Sequence, residues 1–435
     1  MMQSKYIRAD KFSPRISHEL AALLSALQLR EPDATLLKSL SDQQWSNLLD
    51  FCDLAHLTLP LARLPKNDLP TWVTERLTRN VADNVKRFEL VKTTYKEVAK
   101  AFSTTGIEHL VIKGFTQCPE YVELPGLRFQ SDLDIYCPEK MIQPAKAALE
   151  AIGYVSATGI SCKSTDHTSP LIRLGGWKWN GNHYDPEMPL SIELHFCLWN
   201  ETTSFFSIPG IDCFWRRRIS RSLEDISFPC LDDADQLGYL ALHILRNILL
   251  RDWVIHHVLE LAFFLHTHAN DDVFWITWHE THDASLRSLE AIAFYYARAW
   301  FDCDLHWQVE TEIENFSTKQ KQWLRRFSGS ALEVMFHQNK DSIWLHMSLL
   351  KSSEAKRKLL KRFLIPATIS SINTPGVEIQ NRRPRLPGKL HPYLQYLGYL
   401  TLRFSSYSYV NLATVLRGFA WRFSYKQQKR QPETH

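Results

Sequence analysis

Asp132 and Asp134 stand one residue apart in Ser131-Asp132-Leu133-Asp134-Ile135-Tyr136. Acid alternating with apolar residue is the pattern of a strand with one buried face, so both carboxylates leave one side while Leu133 and Ile135 enter the core. Two carboxylates held side by side repel each other, and both stay ionised only with a cation between them, usually a divalent metal. Downstream, Ser191-Ile192-Glu193-Leu194-His195-Phe196 repeats the alternation. It puts Glu193 and His195 on one face and Ile192, Leu194 and Phe196 on the other, which makes Glu193 the candidate third acid. Asp185 and Glu187 are rivals, but they lie in the turn-rich stretch Asn180 to Glu187, where nothing aims them and such residues are usually solvated. Upstream, Glu108-His109-Leu110-Val111-Ile112-Lys113-Gly114 reads as a short buried strand ending on a Lys-Gly turn. A lone Asp-x-Asp is common and weak; the order of strand, Lys-Gly turn, Asp-x-Asp strand and Glu-x-His strand makes the pattern specific.

This order resembles the nucleotidyltransferases of the DNA polymerase β superfamily, which carry a glycine-containing turn, an Asp-x-Asp strand and a third carboxylate on a neighbouring strand. It is more closely similar to an uncharacterised bacterial nucleotidyltransferase family within that superfamily. The matching residues are Gly106-Ile107, Lys113-Gly114, Tyr121, Arg128, Ser131 to Asp134, and Ile192 to Phe196. The close likeness covers residues 91–200 and a weaker, helical one continues to the end. Two positions depart. Lys-Gly replaces the superfamily's Gly-Ser turn, leaving Thr116 or Ser131 to cradle phosphate, and Glu193 stands where many relatives have Asp.

The resemblance implies an α+β fold with a polymerase β-like core, a small mixed sheet flanked by helices. It also implies metal-dependent transfer of a nucleoside monophosphate from an NTP, with ATP the expected donor, to a hydroxyl of a small-molecule, peptide or glycan acceptor, with release of pyrophosphate. On that reading Asp132, Asp134 and Glu193 are the catalytic and metal-binding candidates, with Mg2+ the expected ion and Mn2+ the alternative. Lys113, Gly114, Arg128 and Ser131 face the nucleotide, Arg128 suiting a bidentate phosphate contact and Lys113 a point contact. His195 orients a carboxylate from behind. Read blandly, Lys113 and Arg128 are salt-bridge residues and His195 is a satisfied core histidine. Two other functions compete. A sugar-nucleotide glycosyltransferase also uses Asp-x-Asp, but after a βαβ region of about 100 residues, whereas the material before Asp132 is mainly helical. The third is a non-catalytic nucleotide-binding module.

The elements that must position these residues follow from periodicity. Ser17 to Leu29 is expected to be helical, with Asp33 or Thr35 capping a second helix toward Cys52. Thr71 to Phe102 reads as one long helix or two, striped by Val73, Leu77, Val81, Val85, Phe88 and Val91 and ended by Gly106. A helix over Pro138 to Gly153 follows the acid strand, and Leu171 to Trp179 forms a hairpin with the Glu193 strand. From Asp232 the pattern turns to long helices, Ala234 to Arg251, Trp253 to His268, Ala284 to Phe301 and Lys319 to Phe336, with Asp283 and Thr318 at the N-cap positions of the last two. The tail begins as a basic helix at Lys351, passes Pro366 and the loop 381–389, and ends as an aromatic-rich helix over Tyr393 to Tyr425. The expected domains are a helical region over 1–90, the nucleotidyltransferase core over 91–230, a helical domain over 231–350 and the tail over 351–435.

Composition bounds the remainder. The 435 residues, 23% of them charged, describe globular domains with well-filled cores. No run of 18 apolar residues and no secretory leader occurs, so a cytoplasmic location is expected. Eight cysteines without a C-x-x-C pair fit buried thiols rather than a disulfide frame or zinc site. Histidines crowd 243–268, yet none sit at H-x-x-x-H spacing, and His279-Glu280-Thr281-His282 falls one residue short of the zincin pattern. Residues 351–435 hold 16 Lys/Arg and 3 Asp/Glu, a net of +13, while the first 350 hold 35 and 44, a net of −9. Such an end can touch anionic membrane or another polyanion, but docking or solvation is the expectation, and no stable nucleic-acid complex is expected.

Overall fold

Gly106 sets where the sheet begins. The computed structural model describes residues 16–156, 166–336, 338–364 and 408–419. In it a single helix runs unbroken over Thr71–Thr105 and stops at Gly106, whose φ of 66° and ψ of 29° form a left-handed cap that glycine adopts without a Cβ penalty. The helix buries Val73, Leu77, Phe88 and Val91, but its middle departs from the expected stripe: Val85 is exposed and Asn80, Asn84 and Arg87 are buried instead. Asn84 and Arg87 face backbone carbonyls rather than apolar core, as described below.

Five strands form one sheet: β1 (Leu110–Val111), β2 (Asp132–Tyr136), β3 (Val155–Ser156), β4 (Leu171–Ile172) and β5 (Ser191–His195), in the order β1-β2-β5-β4-β3. β2 and β5 are parallel and every other pair is antiparallel. A parallel pair needs a long crossover. Here it contains the helix Ile142–Ala151, entered by a 3-10 turn over Glu139–Met141. β4 pairs with β5 through Leu171 and Ile192 as expected, but it is only two residues long. A second hairpin, β6 (Ile219–Leu223) with β7 (Ile226–Cys230), was not foreseen, and its Ile226, Phe228 and Cys230 join the core beneath the sheet. That core is built from Val91, Val98 and Phe102 of the long helix, Leu133 and Ile135 of β2, Leu149, and Ile192 and Leu194 of β5. The result is a mixed α+β fold with a small mixed sheet and flanking helices.

The chain divides into two compact units, one comprising mainly Ser17–Asn247 and Val254–Asn315, the other mainly Ile248–Trp253 and Phe316–His435. In the first, Ser17 caps the helix His18–Ala26. The expected second helix is split into Thr35–Lys38 and Asp42–Leu54, because Ser41 and Gln44 form a capping box that starts a new helix. The sheet is followed by helices over Asp233–Leu250, Ile255–Thr267, Asp272–Thr281, Ala284–Phe301 and Trp307–Glu314. Asp283 caps the fourth as expected, accepting from the Ser285 and Leu286 amides. In the second unit the expected Lys319–Phe336 helix is broken: Ser317, not Thr318, caps Thr318–Phe327 through a capping box with Gln320, and a separate turn covers Ser330–Glu333. Helices over Ser342–Leu349 and Ser353–Leu364 follow. Pro366, the loop 381–389 and most of 393–425 lie outside the described residues, apart from a helix over 408–419. Among the described residues no helix is long and apolar enough to cross a membrane.

Candidate active site

The parallel register of β2 and β5 brings the chemistry together. Asp132 lies opposite Ser191, Asp134 opposite Glu193 and Tyr136 opposite His195. Leu133, Ile135, Ile192 and Leu194 are fully buried on the core side, so pleating sends Asp132, Asp134, Glu193 and His195 to the other face. Asp134 Oδ1 accepts from Lys113 Nζ at 2.9 Å and lies 2.7 Å from His195 Nε2. Glu193 Oε2 is 3.9 Å from the same His195 nitrogen and 3.5 Å from His167 Nδ1.

The charges at this face explain one another. Asp132 and Asp134 titrate as a pair. Burial and the Asp134 charge hold Asp132 above the usual carboxylate range. Burial also opposes ionisation of Asp134, but Lys113 and His195 outweigh it and hold Asp134 below that range. Burial, then Asp134 and Asp132, push the Glu193 carboxyl up to about 8. Burial likewise opposes the Lys113 ammonium, yet Asp134 prevails and keeps it protonated. Three crowded carboxylates served by one ammonium are short of positive charge.

Lys113 reaches Asp134 from a costly backbone. Its φ of 57° and ψ of −157° lie where non-glycine residues rarely sit, a cost of about 1–3 kcal/mol that persists only when the surroundings enforce it. Gly114 is also left-handed, and a Cβ there would meet Gln130 Nε2 at 2.5 Å. Gln130 Nε2 in turn donates to the Asp132 carbonyl at 2.7 Å, so the Lys-Gly turn packs directly on the entrance to the acid strand. Of the two hydroxyls left for the missing serine, Thr116 is buried and donates to the Lys113 carbonyl at 2.7 Å, while Ser131 is half-buried beside Asp132. Arg128 pairs with Glu260 at 2.9 Å, although its charge is still felt at Asp132.

Several residues that build this face escaped the sequence pattern. Asp166, buried, takes an ion pair from Arg246 and lies 3.8 Å from His195 Nδ1. His167 is joined to His195 of the central strand β5 by an isolated antiparallel bridge, and the two rings are 5.1 Å apart. Neither Asp166 nor His167 stands in an alternating segment, so no periodicity marks them. Arg87, almost wholly buried, donates to the carbonyls of Gln130 (2.9 Å), Met188 (2.7 Å) and Asp185 (3.2 Å). Asn84 donates to those of Gly126 and Arg128. The long helix thereby fixes both approaches to the acid face, 126–130 and 185–188. Polar residues recurring at 80, 84 and 87 along an otherwise apolar stripe were the available signal. Asp185, expected to be solvated, is buried and accepts from Trp177, Asn180 and the Glu187 amide. It organises its own loop and is not aimed at β2.

As a metal set, Asp134, Glu193 and His195 each offer a ligand atom, and these atoms lie within 4.8 Å of one another. Among the described residues no other group of three or more such side chains meets that condition. Carboxylate oxygens suit a hard divalent ion, and the charge shortage at Glu193 fits the arrival of a cation. Asp132 stands next on the same face. The His279–His282 motif holds no such site: His282 is buried between Asp235 and Glu290, at 3.1 and 2.8 Å. The cysteines among the described residues are free thiols.

No curated protein and no solved structure matches this chain. Residues 41–302, more than half of its length, match the model of a family described as uncharacterised nucleotidyltransferase, and the chain belongs to that family.

Proposed function

We propose that the chain is a metal-dependent nucleotidyltransferase that moves a nucleoside monophosphate from an NTP, ATP by preference, to a hydroxyl of a small-molecule, peptide or glycan acceptor. The observation that carries this reading is the register of β2 on β5, which sets Asp134 against Glu193 with Asp132 and His195 on the same face. Asp132, Asp134 and Glu193 are the residues to hold Mg2+ or Mn2+, and the ion supplies the positive charge that neutralises the transferring phosphates. Lys113 adds a fixed cation at the Asp134 edge, and His195 orients the Asp134 carboxylate through its 2.7 Å contact. Ser131 offers a hydroxyl for phosphate oxygens, and Gly114 lets the Lys-Gly turn that carries Lys113 pack against Gln130. Arg128, held by Glu260, serves as a positioned cation near Asp132. The acceptor oxygen bonds to the α-phosphorus, the bond to the bridging oxygen breaks, and pyrophosphate leaves with the electron pair. The hydroxyl proton passes to Glu193, which stands on the same face as both aspartates. Incubating the chain with each of the four α-labelled NTPs, Mg2+ and cell extract tests this. Label is expected in a new product with equimolar pyrophosphate; label released only as free nucleoside monophosphate would contradict transfer.

A further inference from the structure

Asp166 is a further carboxylate at the acid face, buried and outside the group of side chains that can share an ion. Its place is fixed from two sides. The main chain on either side of His167 pairs with the end of β5: the Asp166 carbonyl accepts from the Phe196 amide at 3.0 Å, and the Thr168 amide donates to the Leu194 carbonyl at 2.9 Å. Arg246, from the helix Asp233–Leu250, clamps the carboxylate through an ion pair to Oδ2. Stability alone does not account for this pair, since a buried ion pair contributes little over well-packed apolar side chains of the same size. Asp166 Oδ1 is, moreover, buried without a hydrogen-bond partner, a costly state for a carboxylate oxygen.

What Asp166 faces is the far side of the His195 ring. The ring is buried; its Nε2 lies 2.7 Å from Asp134 Oδ1 and 3.9 Å from Glu193 Oε2, while its Nδ1 has no hydrogen-bond partner and lies 3.8 Å from Asp166 Oδ2. A histidine that ligates a metal must be neutral, and a neutral imidazole carries one proton and one lone pair, which leaves two arrangements. With the proton on Nε2 the ring donates to Asp134, and the Nδ1 lone pair is turned on the Asp166 carboxylate with nothing between them. With the proton on Nδ1 it is aimed at Asp166, and the Nε2 lone pair joins the oxygens of Asp134 and Glu193, three ligand atoms within 4.8 Å of one another. Three lone pairs so placed repel one another unless a cation sits among them.

We propose that Asp166, braced by Arg246, is a positioning residue that holds the Nδ1–H tautomer of His195, so that Nε2 becomes a direct ligand of the divalent ion beside Asp134 and Glu193. The assignment rests on the metal-dependent nucleotidyltransferase reading and adds to it a nitrogen ligand and the group that orients it. A ligating histidine ordinarily donates its other ring N–H to a carboxylate, carbonyl or water. Bringing Nδ1 and Asp166 Oδ2 from 3.8 Å to hydrogen-bond length takes about 1 Å of side-chain movement.

Titration of the full chain with Mn2+, followed by electron paramagnetic resonance, tests it. Wild type is expected to bind Mn2+ and to show, in pulsed spectra, the nitrogen coupling of a directly bound imidazole; His195→Gln should lose that coupling. Asp166→Leu/Arg246→Met removes the clamp as a pair and is expected to weaken Mn2+ about ten- to a hundredfold, with the coupling lost from the ion that the carboxylates still hold. If that variant does not fold, the near-isosteric Asp166→Asn takes its place, and weaker Mn2+ binding is again expected. The proposal is overturned if wild type binds Mn2+ without nitrogen coupling, if the coupling persists in His195→Gln, or if the folded Asp166 variant keeps the wild-type affinity. Failure of wild type to bind Mn2+ at all would instead strike the nucleotidyltransferase reading itself.

Discussion

Lys113 carries the heaviest load of any single side chain at the acid face. Its ammonium is the only cation within hydrogen-bond reach of Asp134 among the described lysines and arginines, and it is delivered from a backbone conformation that costs energy to hold. Removing one partner of a buried ion pair leaves an uncompensated charge, at about 3–5 kcal/mol. Lys113→Met is therefore expected to lower the unfolding free energy by that amount in the absence of divalent ions, measured by guanidinium titration. An unchanged free energy would mean that the pair is neutral to stability. At this scale the sequence was most legible where alternation aims a side chain, as with Asp132, Asp134, Glu193 and His195. It was silent on Asp166 and His167, which reach the face from a segment without periodicity. The expected serine substitute Thr116 was turned inward by its own 3-10 turn, a detail of backbone geometry that residue type does not encode.

The long helix Thr71–Thr105 is the element that holds the acid strand in place, and it does so with polar groups. Arg87 alone satisfies three carbonyls on the two approaches to β2 and β5. Hydrogen bonds from a charged donor contribute about 1.5–3 kcal/mol each, so Arg87→Met is expected to cost about 3–5 kcal/mol and to slow label transfer. Arg87→Lys should not restore either, because an ammonium lacks the planar fork that reaches several acceptors at once; full rescue by lysine would show that charge alone suffices. Helix positions were largely readable from period and caps, as Asp283 illustrates. Boundaries failed where a local cap competed, at Ser41 and Ser317.

A second element-scale consequence concerns the helices Asp233–Leu250 and Ala284–Phe301, joined through His282. Burial opposes its charge, but Glu290 and Asp235 raise its pKa to about 9. Arg217 also pairs with Asp235, Trp278 donates to Glu290, and Arg287 donates to the His282 carbonyl. A folded-state pKa above the ordinary value near 6.5 means that the stabilisation is fully present below that pH and is lost as pH rises through 9. The unfolding free energy is expected to fall across this window by up to about 3 kcal/mol, and the slope should flatten in His282→Gln. A wild-type slope equal to that of the variant would place the neutral imidazole in the folded state.

For the whole molecule, the uneven charge separates a basic end from an acidic body, and the acid face adds its own unmet demand for cations. Any ligand that binds only the folded state stabilises it by mass action, about 2.7 kcal/mol at a hundredfold excess over its dissociation constant. Mg2+ or Mn2+ is therefore expected to raise the thermal midpoint of wild type and leave that of Asp132→Ala/Asp134→Ala unmoved. Equal shifts in both would mean that the ions act elsewhere. The fold class and family were legible because the strand order and the Asp-x-Asp and Glu-x-His segments survive in sequence. The packing of Arg87 was not, since it depends on contacts between segments far apart in the chain. The most direct measurement remains transfer of α-label from ATP into product in cell extract, comparing wild type with Asp132→Ala/Asp134→Ala. Transfer by wild type and none by the folded double variant is expected; transfer undiminished in the variant would contradict the account.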